Sequence, residues 1–189
     1  MKERAIIFSG EMVRAILDGR KTQTRRVIKP PKGSAPEYAG VDFGCPHGAP
    51  GDRLWVRENI RWYKEGSPTR YAADGCPVMR DGESVAWTFN EAHVPSIHMP
   101  RWASRITLEI TDVRVERLQD MSFVDWVADF CPSSIQEECA LQTLTGSKNQ
   151  TDVARHYWDS LNANRGFGWD TNPWVWVISF KRIEEGRTP

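Results

Sequence analysis

Trp174-Val175-Trp176-Val177-Ile178-Ser179-Phe180 is apolar on both faces of any strand it forms. Alternate residues of a strand point to opposite faces, so such a segment is satisfied only inside a sheet with packing above and below it. It reads as a buried central strand, and any fold for this chain must be built around a sheet. A second strand, Ile106-Thr107-Leu108-Glu109-Ile110-Thr111, carries its apolar residues on even numbers, and these move to odd numbers at Val113 and Val115. A parity switch at Thr111-Asp112 predicts a bulge or bend. Arg53–Glu58 is a third strand, with Leu54 and Val56 facing one way and Trp55 and Arg57 the other. Ile6-Ile7-Phe8 is a short first strand.

Helices are fewer. Ser9 caps a helix through Leu17, whose Met12, Val13, Ile16 and Leu17 make a stripe to bury, and Gly19 ends it in the left-handed conformation. Ser122-Phe123-Val124-Asp125 is a capping box, which gives Asp125 a structural job. The short helix it opens ends at Phe130-Cys131-Pro132. Thr151-Asp152 opens another helix to Asn162, with Ala154, Trp158 and Leu161 on one face. Asp81-Gly82, between Val78 and Val85, predicts a hairpin. The fold class is α+β. Pro30–Pro36 reads as loop, residues 132–150 as loop plus a short helix, and residues 184–189 as a flexible tail.

The helix ending at Gly19 aims its C-terminus at Arg20-Lys21-Thr22-Gln23-Thr24-Arg25-Arg26. From Arg14 to Lys32 seven cations stand against one acid, Asp18, in a chain whose formal net charge is zero. A basic run is commonly a solvated face. This one contains two hydroxyls. In a regular strand Thr22, Thr24 and Arg26 share a face, and Lys21 meets Thr24 only if the chain turns between them. A lysine crowded by arginines has its charged form disfavoured, which suits it to act as a base. Lys21 is expected to be accessible, so that Lys21→Ala would leave the fold intact.

Forty per cent of the residues are hydrophobic and nine are Trp, enough for a substantial core. No apolar run approaches the roughly 18 residues that span a membrane, and the apolar start at Ala5–Phe8 is too short for a secretory signal. A cytoplasmic protein is expected, with Cys45, Cys76, Cys131 and Cys139 as free thiols. Cys45-Pro46-His47 has only the distant Cys76 as a third ligand, so no metal site is expected. Trp62, Tyr63, Tyr71, Trp87 and Phe89 read as packing, or as platforms on which nucleobases stack.

Leu17-x-Gly19-x-Lys21-Thr22-x-Thr24-x-Arg26, followed by Gly51-Asp52-x-Leu54-x-Val56, resembles the ASCH-domain family. The longer form, with Pro50–Glu58 and Met99–Arg105, is similar to ASCH proteins carried by phages and prophages. The likeness covers residues 6–29, 50–60, 101–131 and 172–183. It implies a PUA-like β-barrel with flanking helices, formed by residues 1–183 as a single domain with a central insertion at about 61–100. The small bacterial members are N(4)-acetylcytidine amidohydrolases. The resemblance therefore implies hydrolysis of the exocyclic amide of an N-acylated cytosine nucleoside, with no metal and no cofactor.

In that scheme Thr24 attacks the amide carbonyl and Lys21 takes its proton. Asp129 orients the lysine or protonates the leaving amine, and Arg26 with nearby backbone N–H groups stabilises the oxyanion. Arg20, Arg57 and Glu58 join Arg26 as substrate contacts in a cleft beside the first helix. The family places a glutamate where this chain has Asp129, one methylene shorter, so Asp129→Glu is expected to raise the rate. A second implication is a module that binds structured RNA, or a ribonuclease using the same basic cleft. The partner is a nucleoside or RNA in either case.

Overall fold

The computed structural model describes residues 1–29, 44–61, 67–86, 93–130 and 150–183. The loop at Pro30–Pro36, the aromatics Trp62, Tyr63, Trp87 and Phe89, Cys131 and Cys139, the loop and short helix after 131, and the tail at 184–189 lie outside the described residues.

Five strands make the main sheet: β1 (Glu3–Ile7), β2 (Gln23–Val27), β3 (Arg53–Arg57), β9 (Thr107–Arg117) and β10 (Trp174–Ile183). Their order is β1-β3-β9-β10-β2; β1 and β3 run parallel and the other neighbours antiparallel. The doubly apolar segment is β10, an interior strand as its sequence requires. Val175 and Val177 enter one core with Leu118, Trp126 and Trp158. Ile178 and Phe180 enter another with Ile6, Phe8, Leu54, Val56, Leu108 and Ile110. Many of these side chains are 0–2% exposed, and each contributes about 1.5–3 kcal/mol by leaving water. The parity switch is a bulge: Ser179 pairs with Asp112 and Phe180 with Ile110, so Thr111 is the extra residue.

The mixed α+β character is as expected. The closed barrel is not seen. With β1 and β2 at the two ends of the strand order, and no ladder between them among the described residues, the sheet stays open.

Helix α1 (Gly10–Leu17) starts where Ser9 Oγ accepts from the Met12 N–H at 3.4 Å and buries Val13, Ala15 and Ile16. Gly19 follows at φ +73°, where a Cβ would be strained. The N–H groups of Arg20 and Lys21 both donate to the Ala15 carbonyl, so the chain folds back before β2 begins. Helix α2 (Phe123–Phe130) carries the capping box, in which Ser122 Oγ accepts from the Asp125 N–H at 3.2 Å. Helix α3 (Gln150–Asn162) packs Ala154 and Trp158 beneath the sheet. Among the described residues no helix is long and apolar enough to cross a membrane.

The insertion builds two small sheets. β4 (Ile60–Arg61) pairs with β5 (Arg70–Tyr71) and β8 (His93–Val94), over a core of Ile60, Tyr71, Val78, Val94, Met99 and Ala103. β6 (Met79–Arg80) and β7 (Glu83–Ser84) form the hairpin. Asp81 and Gly82 both take positive φ, +52° and +84°, as a two-residue type I′ turn demands.

Candidate active site

A cavity of about 770 Å³ lies in the opening that the sheet fails to close. Its walls are the outer edges of β1 and β2, with α3 alongside. The hydrogen bonds fix which backbone groups face it. Phe180 N–H donates to the Thr22 carbonyl and Ile28 N–H to the Trp174 carbonyl, so even-numbered residues of β2 turn their peptide groups toward β10. Arg25 and Val27 must then turn theirs outward. On β1, the Lys2 carbonyl accepts from Arg53 N–H and Phe8 N–H donates to Arg57, which leaves Ala5 and Ile7 facing out. Two strand edges, unpaired among the described residues, thus face each other. Arg26 Nη2 bridges them by donating to the Ile7 carbonyl at 2.8 Å. Such edges are complementary to a flat ligand that carries its own row of donors and acceptors.

Thr24, Arg26 and Asp129 all line this cavity, with Trp158, Trp176 and His47. Thr24 is 3% exposed, and among the described residues its hydroxyl has no hydrogen-bond partner. Asp129 is 2% exposed. Its Oδ1 accepts from Lys21 Nζ at 2.7 Å and its Oδ2 from Arg25 Nη1 at 3.3 Å.

Lys21 is 4% exposed, which overturns the expectation that it is accessible. It sits in the turn before β2, where Nζ donates to the carbonyls of Gln23 and Asp129 as well as to the carboxylate. Nζ is thus bonded to the carbonyl of the peptide that joins Gln23 to Thr24. Burial pushes the Lys21 pKa down, opposed by Asp129 and assisted by Arg26 and Arg25.

Arg25 is a member of this cluster that sequence reasoning left out. It is fully covered, and it joins Glu116 at 2.6 Å to Asp129 across the edge of β2. Its position one residue from Thr24 was visible in sequence. What made it structural is α2 docking on that edge, through Thr22 N–H to the Ala128 carbonyl at 3.2 Å.

Three other expected contacts are not brought to the cavity. Arg20 pairs with Asp18 at 2.8 Å on the far side of the turn. Arg57 lies on the outer face of β3, stacked 4.6 Å from the Trp55 ring, with Nη1 donating to the Ile97 carbonyl. Glu58 is 1% exposed and held by Arg105 through two bonds of 2.9 Å. It ties the main sheet to the insertion. The physical reason is strand alternation continued past Arg57: β3 is an inner strand, and neither of its faces there opens on the β1–β2 gap.

His47 belongs to the cavity wall and was missed. Burial, then the charges of Arg26 and Arg4, lower its pKa from 6.5 to about 4. The ring is neutral in the folded protein near pH 7, so protonation opposes folding. Stability from this group is complete above pH 6.5 and is lost as the pH falls from 6.5 toward 4. The full effect is no more than about 3 kcal/mol, reduced because the ring is only partly buried. Urea midpoints of wild type and His47→Gln across this range check it: the variant should show a flatter acid slope, and parallel slopes would remove His47 as the cause.

Cys45 packs against the main core, and Cys76 lies in the insertion, where its carbonyl accepts from Tyr71 N–H.

No protein-family model and no curated protein matches the chain. Among solved structures it is similar to an ASCH domain from Lactobacillus crispatus JV V101, at 13% identity and a TM-score of 0.44 over 96% of this chain and 79% of that one. It is also similar to a protein of Enterococcus faecalis V583 that carries a domain of unknown function, at 12% identity and a TM-score of 0.42 over 97% of this chain and 80% of that one.

Proposed function

We propose that this chain is a metal-independent amidohydrolase that cleaves the exocyclic amide of an N-acylated cytosine nucleoside. The sheet is taken as a PUA-like barrel left open between β1 and β2, residues 1–183 as one domain, and the opening as the substrate site. The observation that carries the reading is the buried Lys21–Asp129 pair beside Thr24, a residue that lines the cavity and whose hydroxyl has no partner among the described residues.

Thr24 Oγ1 attacks the acyl carbonyl carbon as its proton passes to Lys21, whose hold on a proton burial has weakened. The carbonyl oxygen takes up negative charge, which the Arg26 guanidinium and the outward N–H groups of Arg25 and Val27 stabilise. The carbon–nitrogen bond breaks, the cytosine amine takes the proton, and an acyl ester remains on Thr24. Water then hydrolyses the ester to release the carboxylic acid. Asp129 keeps Lys21 in place and compensates its charge when it is protonated.

The test is acetate release from N(4)-acetylcytidine by wild type and Thr24→Val. The variant removes a hydroxyl with no partner among the described residues, so its fold is expected to be unchanged, while kcat/KM falls on the order of a thousandfold or more. No acetate from any acylated cytosine nucleoside, or equal turnover by the variant, rejects the reading.

A further inference from the structure

Two further cations line the cavity. Lys29 follows the end of β2, and Arg165 follows α3. Both are exposed, and both line the cavity, as does Arg26. Asp129 is the only carboxylate lining the cavity among the described residues, and Lys21 and Arg25 already engage it.

Arg165 stands near acids it does not use. Asp159 and Asp170 flank its loop, and both are taken by Arg155. The loop itself is pinned. Trp158 Nε1 donates to the Phe167 carbonyl at 2.7 Å, Trp169 N–H donates to Asp159 Oδ1 at 2.6 Å, and Gly166 turns the chain at φ +81°. A fixed backbone carrying a guanidinium that pairs with no carboxylate among the described residues is what a positioned anion contact requires, because little further entropy is lost when the ligand arrives. Arg165 also lies close enough to repel Arg26. Like charges held together cost stability until an anion joins them.

We infer that Lys29 and Arg165 form a phosphate subsite, so that the preferred ligand is a cytosine nucleoside monophosphate. This rests on the reading of the cavity as a nucleoside site. Thr24 and Lys29 are five residues apart, about 16 Å along an extended strand at roughly 3.3 Å per residue. The Lys29 side chain can fold back over part of that length. A ligand with its amide at Thr24 therefore directs the opposite end, the sugar and its phosphate, toward Lys29 and Arg165. Two cations suit a single phosphate. Tight, salt-sensitive nucleic-acid binding commonly rests on roughly 6–10 phosphate contacts along a track.

Calorimetry with cytidine, cytidine 5′-monophosphate, cytidine 3′-monophosphate and a short cytidine-containing RNA tests this. At low salt at least one monophosphate should bind about tenfold or more tighter than cytidine. The two phosphate positions tell which end of the sugar meets the cations. The advantage should shrink as salt is raised and vanish in Lys29→Ala/Arg165→Ala. Both side chains are exposed, and thermal melting checks that the variant is folded. Equal affinity for nucleoside and nucleotides, an advantage that survives in the double variant, or an RNA that binds more than tenfold tighter than either monophosphate would overturn the proposal. These ligands carry no acyl group, so the result is independent of catalysis. Monophosphate preference without acetate release keeps the subsite and rejects the hydrolase; acetate release without that preference does the reverse.

Discussion

An Asp129→Ala variant is expected to lose about 3–5 kcal/mol of folding stability, the cost of leaving a buried charge without its partner. Lys21 would keep hydrogen bonds only to two backbone carbonyls, while Arg25 would keep Glu116 and the Gln23 side-chain oxygen. Urea denaturation measures the loss. A drop below about 1 kcal/mol would mean that water enters and solvates the ammonium. The paired replacement Lys21→Met/Asp129→Leu removes both charges and should recover much of the stability while abolishing turnover. By the same argument Lys21→Ala is not the harmless substitution that an exposed lysine would allow.

The charge also separates from the shape. Asp129→Asn keeps the volume but cannot hold the ammonium, and kcat/KM should fall by about a hundredfold. The Asp129→Glu expectation reverses. The carboxylate already reaches Lys21 at 2.7 Å in a site 2% exposed, because α2 packs directly on the β2 edge. An added methylene there overpacks the site. Asp129→Glu should lower the rate, and a rise would show that the helix sits too far away.

Arg105→Ala is expected to cost a similar 3–5 kcal/mol by a different route. Glu58 is 1% exposed and bonded at both oxygens by Arg105, which also pairs with Asp74 at 2.7 Å and lies 3.9 Å from the Tyr71 ring. Removing the guanidinium strands the carboxylate between the main sheet and the insertion. Glu58→Gln/Arg105→Met, which buries no charge, should be nearer to wild type. If Arg105→Ala and the double variant have the same urea midpoint, the stranded charge is not the source of the loss. Neither change reaches the β1–β2 opening, so ligand binding there should be unaltered in folded protein.

Local rules decided much of what the chain alone revealed. A segment apolar on both faces had to be an interior strand, a parity switch had to be a bulge, and Ser9, Gly19, Asp81-Gly82 and Ser122–Asp125 act on neighbours within a few residues. The residue types gathered around Thr24 were likewise legible, because Lys21, Thr24 and Arg26 lie within six positions. Burial and partnership were not. Whether Lys21 meets water depends on α2, more than a hundred residues away, and whether Glu58 faces a cleft depends on Arg105. Arg165 entered the cavity wall with no motif to announce it, and His47 with only the Cys45-Pro46-His47 run, which pointed to metal and not to this cavity. The gap between β1 and β2 is a property of strand order, and strand order is set by long-range pairing that no local pattern encodes.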